Sequence, residues 1–214
     1  MSGPAADPRA PARPLPAPAR AVAVAAASFV LGGLTFFAQG FLPEAVSSFA
    51  NSASGWTLLT VLLIHAARLN TAASAVLGAV GFVLLVLGYS AAAHLQGLFY
   101  SPVLFGAVGA VVGPFVGTAT AWLRSRSRPR AAAGTALLSG IGIGEGVYGL
   151  TYIADTTSPV YWIAVAAAGT ALLAAMTATR LRGAGALPIA TALAATAAVA
   201  GLFVVAYVAL GSVG

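Results

Sequence analysis

The chain contains no cysteine and no lysine, and only four of its 214 residues are acidic. Without cysteine there are no disulfides, thiolate nucleophiles or thiolate metal sites, and the redox compartment leaves no mark on the sequence. Without lysine there is no Walker A phosphate loop and no Schiff base to pyridoxal or retinal, which excludes an ATPase subunit and a rhodopsin. Charged side chains make up 7% of the residues against 60% hydrophobic ones, and the mean hydropathy is +0.97. A chain so poor in charge cannot present an ordinary surface to water, so its expected solvent and first partner is the lipid bilayer.

What charge there is comes from ten arginines, for a net +6. They flank apolar spans instead of forming a patch on a soluble domain, so nucleic acid is not an expected partner. Residues 1–20 hold Pro4, Pro8, Pro11, Pro14, Pro16 and Pro18 among alanines, with Arg9 and Arg13. That composition neither forms a helix nor buries a core, and it reads as a disordered cytoplasmic tail. The apolar span after it is too long and too late for a secretory signal, so the first helix stays as an anchor.

Residues 21–214 read as one transmembrane domain of seven spans, at 21–42, 55–69, 71–93, 100–123, 131–153, 159–179 and 186–210. Most reach the ~20 residues that a hydrocarbon core about 30 Å thick requires. The second is short, and the arginines decide whether it crosses. With seven spans, Arg9, Arg13, Arg20, Arg68, Arg124, Arg126, Arg128, Arg130, Arg180 and Arg182 all lie on one side. Removing the second crossing would move the six from Arg124 onward to the other side, against the positive-inside rule. The expected architecture is therefore an all-α, seven-transmembrane-helix bundle, multi-pass in the cell (plasma) membrane, with a cytoplasmic N-terminus and an outside C-terminus. Residues 43–55 form an outer connection whose Pro43-Glu44 start suits a brief interfacial helix.

A faint repeat runs through the chain at a spacing of 106 residues, pairing Gln39-Gly40 with Glu145-Gly146 and Trp56 with Trp162. It predicts a 3+1+3 arrangement of parallel repeats with the fourth span as a linker.

Glu145, within GIGIGEGVYGLTY, is the one acid inside a span, about 22 Å of helix beyond Arg130. A carboxylate is costly in hydrocarbon, so it faces the bundle interior or a wet cavity. Tyr148 and Tyr152, at i+3 and i+7, are expected to share its face. Two readings stand: the stripe lines a ligand cavity, or Glu145 is protonated by desolvation and bonded to a neighbouring helix as structural glue. On the first reading Gln39, Asn51, Trp56, Glu145, Tyr148, Tyr152 and Trp162 close one outward-side pocket for a small molecule. On the bland reading the tryptophans are interface anchors and Gln39 meets water. His65 and His94 lie at different depths, and neither a metal site nor any other cofactor is expected. Ser54-Gly55 and Ser139-Gly140 look superficially like the pair of an intramembrane serine protease, but the only histidine within a span, His65, lies near the opposite membrane face from Ser54. Gly109, Gly113 and Gly117, with Gly140 and Gly144, are packing positions, and Pro114 can kink its helix.

The segment LTFFAQGFLPEAVSSFANSASGW, Leu34 to Trp56, with GEGVYGL, Gly144 to Leu150, resembles an uncharacterised family of small seven-helix membrane proteins found mainly in actinobacteria. The resemblance implies the fold over nearly the whole chain after the tail, and no activity. The leading expectation is binding or transport of a small molecule, with uphill movement drawn from an ion gradient or a separate energising subunit. The alternatives are a membrane-embedded enzyme acting on a lipid or isoprenoid with Glu145 as general acid, and a non-catalytic scaffold or sensor. The glycine faces also permit a homo-oligomer.

Overall fold

The computed structural model describes residues 15–183 and 185–211. Most of the expected tail, with Arg9 and Arg13, lies outside them. The elements run α1 (Ala17–Phe41), α2 (Glu44–Ser47), a 3-10 turn (Ser48–Asn51), α3 (Ala53–Ala67), α4 (Thr71–Leu95), α5 (Val103–Leu123), α6 (Arg128–Tyr152), α7 (Pro159–Arg180) and α8 (Ala186–Gly211). There is no strand among the described residues.

The helix boundaries follow local chemistry. α1 starts at Ala17, not at Ala21, because Pro18 falls in the first turn, where a missing N–H breaks no helical bond. The end of the expected tail is thus helical. α4 is capped by Asn70, whose Oδ1 accepts from the Ala73 N–H at 2.8 Å. His94, expected in a loop, belongs to the last turn of α4 and stacks on Phe99. Tyr100, expected in the next span, precedes α5 and accepts the Ser90 hydroxyl on its carbonyl at 2.8 Å. α5 runs unbroken through Pro114.

Five helices, α1, α4, α5, α7 and α8, are long and apolar enough to cross a membrane. α3 is apolar but only 15 residues long. α6 has 25 residues, and Arg128, Arg130, Glu145 and its many glycines dilute its apolar character.

α4 lies along both α1 and α5, while α6 lies along both α7 and α8; α5 against α6 joins the two groups. Glycine sets these distances. Gly78 of α4 meets the Gly113 and Gly117 backbone of α5, so any side chain there would collide with main chain. On α6, Gly140 fits over Val199 and Gly144 over the Ala200 backbone of α8. With apolar lipid as the alternative neighbour, close backbone packing of this kind replaces the hydrophobic drive of a soluble core.

Arginine closes the opposite helix ends. Arg20 Nη1 donates to the Ala67 carbonyl at 2.8 Å, and Arg124 donates to the His65 and Leu69 carbonyls at 2.9 and 3.3 Å. Arg180 Nη2 donates to the Leu123 carbonyl at 3.1 Å. Each cation thus meets carbonyls at or just past the C-terminal end of α3 or α5, where the helix dipole is negative. Burial, and after it the charge of Arg68, lower the Arg124 pKa from its usual value, yet a guanidinium stays protonated in any physiological medium.

Candidate functional site

α3 begins where a serine can cap it. Ser52 is extended, at φ −128 and ψ 154, and its Oγ accepts from the Gly55 N–H at 3.0 Å. The two preceding amides, of Ala53 and Ser54, have no partner within α3. Glu145 supplies one from α6: Oε1 accepts from Ala53 N–H at 2.7 Å and Oε2 from Ser54 N–H at 2.5 Å. The carboxylate is 1% exposed. Both of its oxygens act as acceptors, at the positive end of a helix dipole, which suits an anion held inside protein. Ser52 Oγ also shares a 2.5 Å hydrogen bond with the Tyr161 hydroxyl of α7. One polar node therefore ties α3, α6 and α7 together.

The sequence around Glu145 explains why it reaches so far inward. Gly144 lets α8 approach on one side, and Gly146 lets α7 approach on the other, against the Trp162 carbonyl. Gly149 lies directly under the Trp162 ring, where a side chain would occupy the same space.

The expected site residues fall into separate groups. Gln39 Nε2 donates to the Tyr89 hydroxyl at 2.8 Å, and Tyr89 in turn contacts the rings of Phe36, Trp56 and Tyr100. Trp56 and Trp162, expected at the interface, are buried; their indole N–H groups donate to Ala50 O at 3.1 Å and Thr157 Oγ1 at 2.8 Å. Asn51 ends the 3-10 turn and is exposed. Tyr148 stacks on Tyr152 and meets Tyr207 of α8 edge-on, at centroid distances of 5.4 and 5.2 Å, while Tyr152 is 59% exposed. The expected stripe thus divides, with Glu145 turned to α3 and Tyr148 to α8. Three residues along a helix still leave about 60° of rotation between side chains.

Beside the node, α3 stands apart from α7 and leaves a groove of about 450 Å³, floored by Ile141 and Gly142 of α6. Its walls are Leu58 and Val61 on one side and Ala164, Val165 and Ala168 on the other. Its polar groups are Ser54, Thr57 and Tyr161, gathered toward the α3 N-terminus. Ser54 Oγ lies near the Glu145 carboxylate without the geometry of a hydrogen bond and is buried without a partner. None of the seven expected residues is among those that line the groove. Sequence reasoning missed Tyr161 and Ser52 because their contact spans 109 residues; serine just ahead of an apolar run was the available signal for the cap. Among the described residues no three His, Asp or Glu side chains gather as metal ligands do.

Apolar helices of membrane length, packed through glycine and cross-tied by an internal carboxylate, define a class: an all-α protein of the membrane type. Within that class the chain belongs to a family of unknown function, DUF6518, whose model matches residues 11–212. That agrees with the resemblance to an uncharacterised family carried by Leu34–Trp56 and Gly144–Leu150. No curated protein and no solved structure matches the chain.

Proposed function

We propose that this is a seven-helix protein of the cell membrane that binds one small amphipathic molecule in the groove between α3, α6 and α7, entered sideways from the bilayer. One observation carries the reading: an apolar groove of about 450 Å³ with its hydroxyl groups concentrated toward one end. That is the lining an apolar chain with a polar head requires. Thr57 and Tyr161 meet the head, while the Ser54 Oγ stays buried beside them. Glu145 is a positioning residue, since its carboxylate fixes the start of α3 and with it the wall that carries Ser54. A general-acid role for Glu145 is less well supported, because both oxygens are engaged by backbone amides. Trp162 backs Tyr161, edge to face at 4.8 Å; Gln39, Asn51, Trp56, Tyr148 and Tyr152 shape the outer end without lining the groove.

Counting α3 and α6 as crossings puts the N-terminus in the cytoplasm, because it keeps every arginine on one side. The hydrogen bonds of Arg20, Arg124 and Arg180 at one end of the bundle support that orientation. A 3+1+3 parallel repeat is supported by the way α1 lies along α4 and α6 along α8. It breaks at α3, which packs loosely on α1 where α7 packs closely on α6. The groove lies beside that departure. Transport in place of binding would draw on an ion gradient or a separate energising subunit.

Because the chain has no cysteine, single cysteines report sidedness directly. Asp155→Cys is expected to react with a membrane-impermeant maleimide on intact cells, and Arg126→Cys only after lysis. The opposite pattern would invert the topology. For the groove, cis-parinaric acid added to the protein in nanodiscs is expected to bind saturably and quench tryptophan emission, with Trp162 behind the groove wall. Ala164→Phe and Ala168→Phe, at exposed positions, fill the groove and are expected to weaken that binding at least ~10-fold, about 1.4 kcal/mol, without lowering the melting temperature. Binding equal to that of the parent chain overturns the reading.

A further inference from the structure

A second groove lies on the opposite side of α6, between it and α8, with a volume of about 580 Å³. Its sides are mostly small: Ala133 and Ala136 from α6, Thr191, Ala192 and Ala195 from α8. Measured along α8 it runs from Leu187 to Ala195, about 12 Å at 1.5 Å per residue. One leaflet of hydrocarbon is about 15 Å deep. The groove therefore covers most of the depth that an acyl chain occupies in a single leaflet.

Its mouth is cationic. Arg128, the first residue of α6, lines the groove and is exposed. The N-terminus of α6 carries no side-chain cap, and although Pro129 has no N–H, the Arg128 and Arg130 amides and the positive end of the dipole lie at this mouth. Arg130 follows in the first turn of α6 and Arg182 lies in the α7–α8 connection, while Arg126, in the α5–α6 connection, does not line the groove. The described carboxylates, Glu44, Glu145 and Asp155, are all on the far connections or inside α6, so none neutralises this end.

We infer that the α6–α8 groove is a site for one anionic phospholipid of the cytoplasmic leaflet, its phosphate on Arg128 and the α6 amides and one acyl chain along Ala133 and Ala195. Charge complementarity selects the head, and the depth of the valley selects a chain. A free phosphate meets only the first requirement. The site is separate from the α3–α7 groove and stands or falls independently of it.

The test counts phosphatidylglycerol molecules retained by the full chain after transfer from mixed phosphatidylglycerol and phosphatidylcholine nanodiscs into mild detergent, by native mass spectrometry. The parent chain is expected to keep one phosphatidylglycerol and no phosphatidylcholine. Arg128→Gln is expected to weaken retention about fivefold, the worth of one arginine at an anionic surface, while Arg126→Gln, off the groove, leaves it unchanged. Ala133→Phe, which fills the valley and keeps every charge, is expected to abolish it. Equal losses from Arg126→Gln and Arg128→Gln would reduce the effect to general surface charge and overturn the site. So would unchanged retention in Ala133→Phe, or displacement of the lipid by millimolar inorganic phosphate.

Discussion

Glu145→Ala is expected to melt about 10 °C below the parent chain in the same detergent. The substitution leaves the part-buried Ala53 and Ser54 amides at the start of α3 without an acceptor, and each was bonded to a carboxyl oxygen. Stranding two such donors costs about 3–5 kcal/mol, and for a chain of this size each kcal/mol lowers the midpoint by about 2–4 °C. Glu145→Gln recovers part of the loss, since its carbonyl oxygen accepts one amide while its NH₂ faces the other, donor to donor. Hydrogen exchange reads the same event locally: the amides of residues 53 and 54 lose protection in the alanine variant while those of α4 and α5 keep theirs. A melting temperature within about 2 °C of the parent, with those amides still protected, would mean that the carboxylate does not hold α3. If cis-parinaric acid binding were then lost as well, the carboxylate would be reading the ligand itself. The filled-groove variants behave in the reverse way, losing the probe while the fold stands.

Gly113→Val is expected to go further and to prevent recovery of folded protein. Gly113 and Gly78 place the backbones of α5 and α4 in direct contact, so there is no flexible side chain that can give way. A valine forces the two helices apart over the length of the most extensive helix pair in the molecule, which exceeds the 1–3 kcal/mol of an ordinary overpacked core. Gly106→Ala on the same helix is the control. A Cβ there meets nothing within 4 Å, and the gain in helix propensity is about 1 kcal/mol. The pair is scored by the fraction of monodisperse protein after detergent extraction. Equal yields from Gly113→Val and the parent would show that this contact does not set the α4–α5 distance.

The two cases mark how far the sequence could be read. The positions of the long helices were legible within a few residues, because each is an apolar run bounded by proline, glycine or arginine, and lipid makes that pattern strict. Gly109, Gly113 and Gly117 were legible as a packing face from their four-residue spacing, since that period is a property of one helix alone. Glu145 was legible as inward-facing, because nothing else makes a lone acid tolerable there. Its partner was not. The Ala53 and Ser54 amides carry no side-chain signature, and they lie 92 and 91 residues away in the chain. Tyr148 parts from Glu145 because three residues along a helix leave about 60° of rotation, whereas Tyr152, within about 20° of Glu145, ends α6 two turns further on and is exposed.

The sequence by itself determined the solvent, the helical class and the burial of one acid, because each follows from hydropathy and charge counted along a single strand. Which helix the acid caps, and that α3 stands off α7 to open a groove headed by Ser54 and Tyr161, only the tertiary structure decided. Those relations depend on the distance between backbones far apart in the chain, set where glycine lets one main chain touch another, and no local pattern encodes which two will meet.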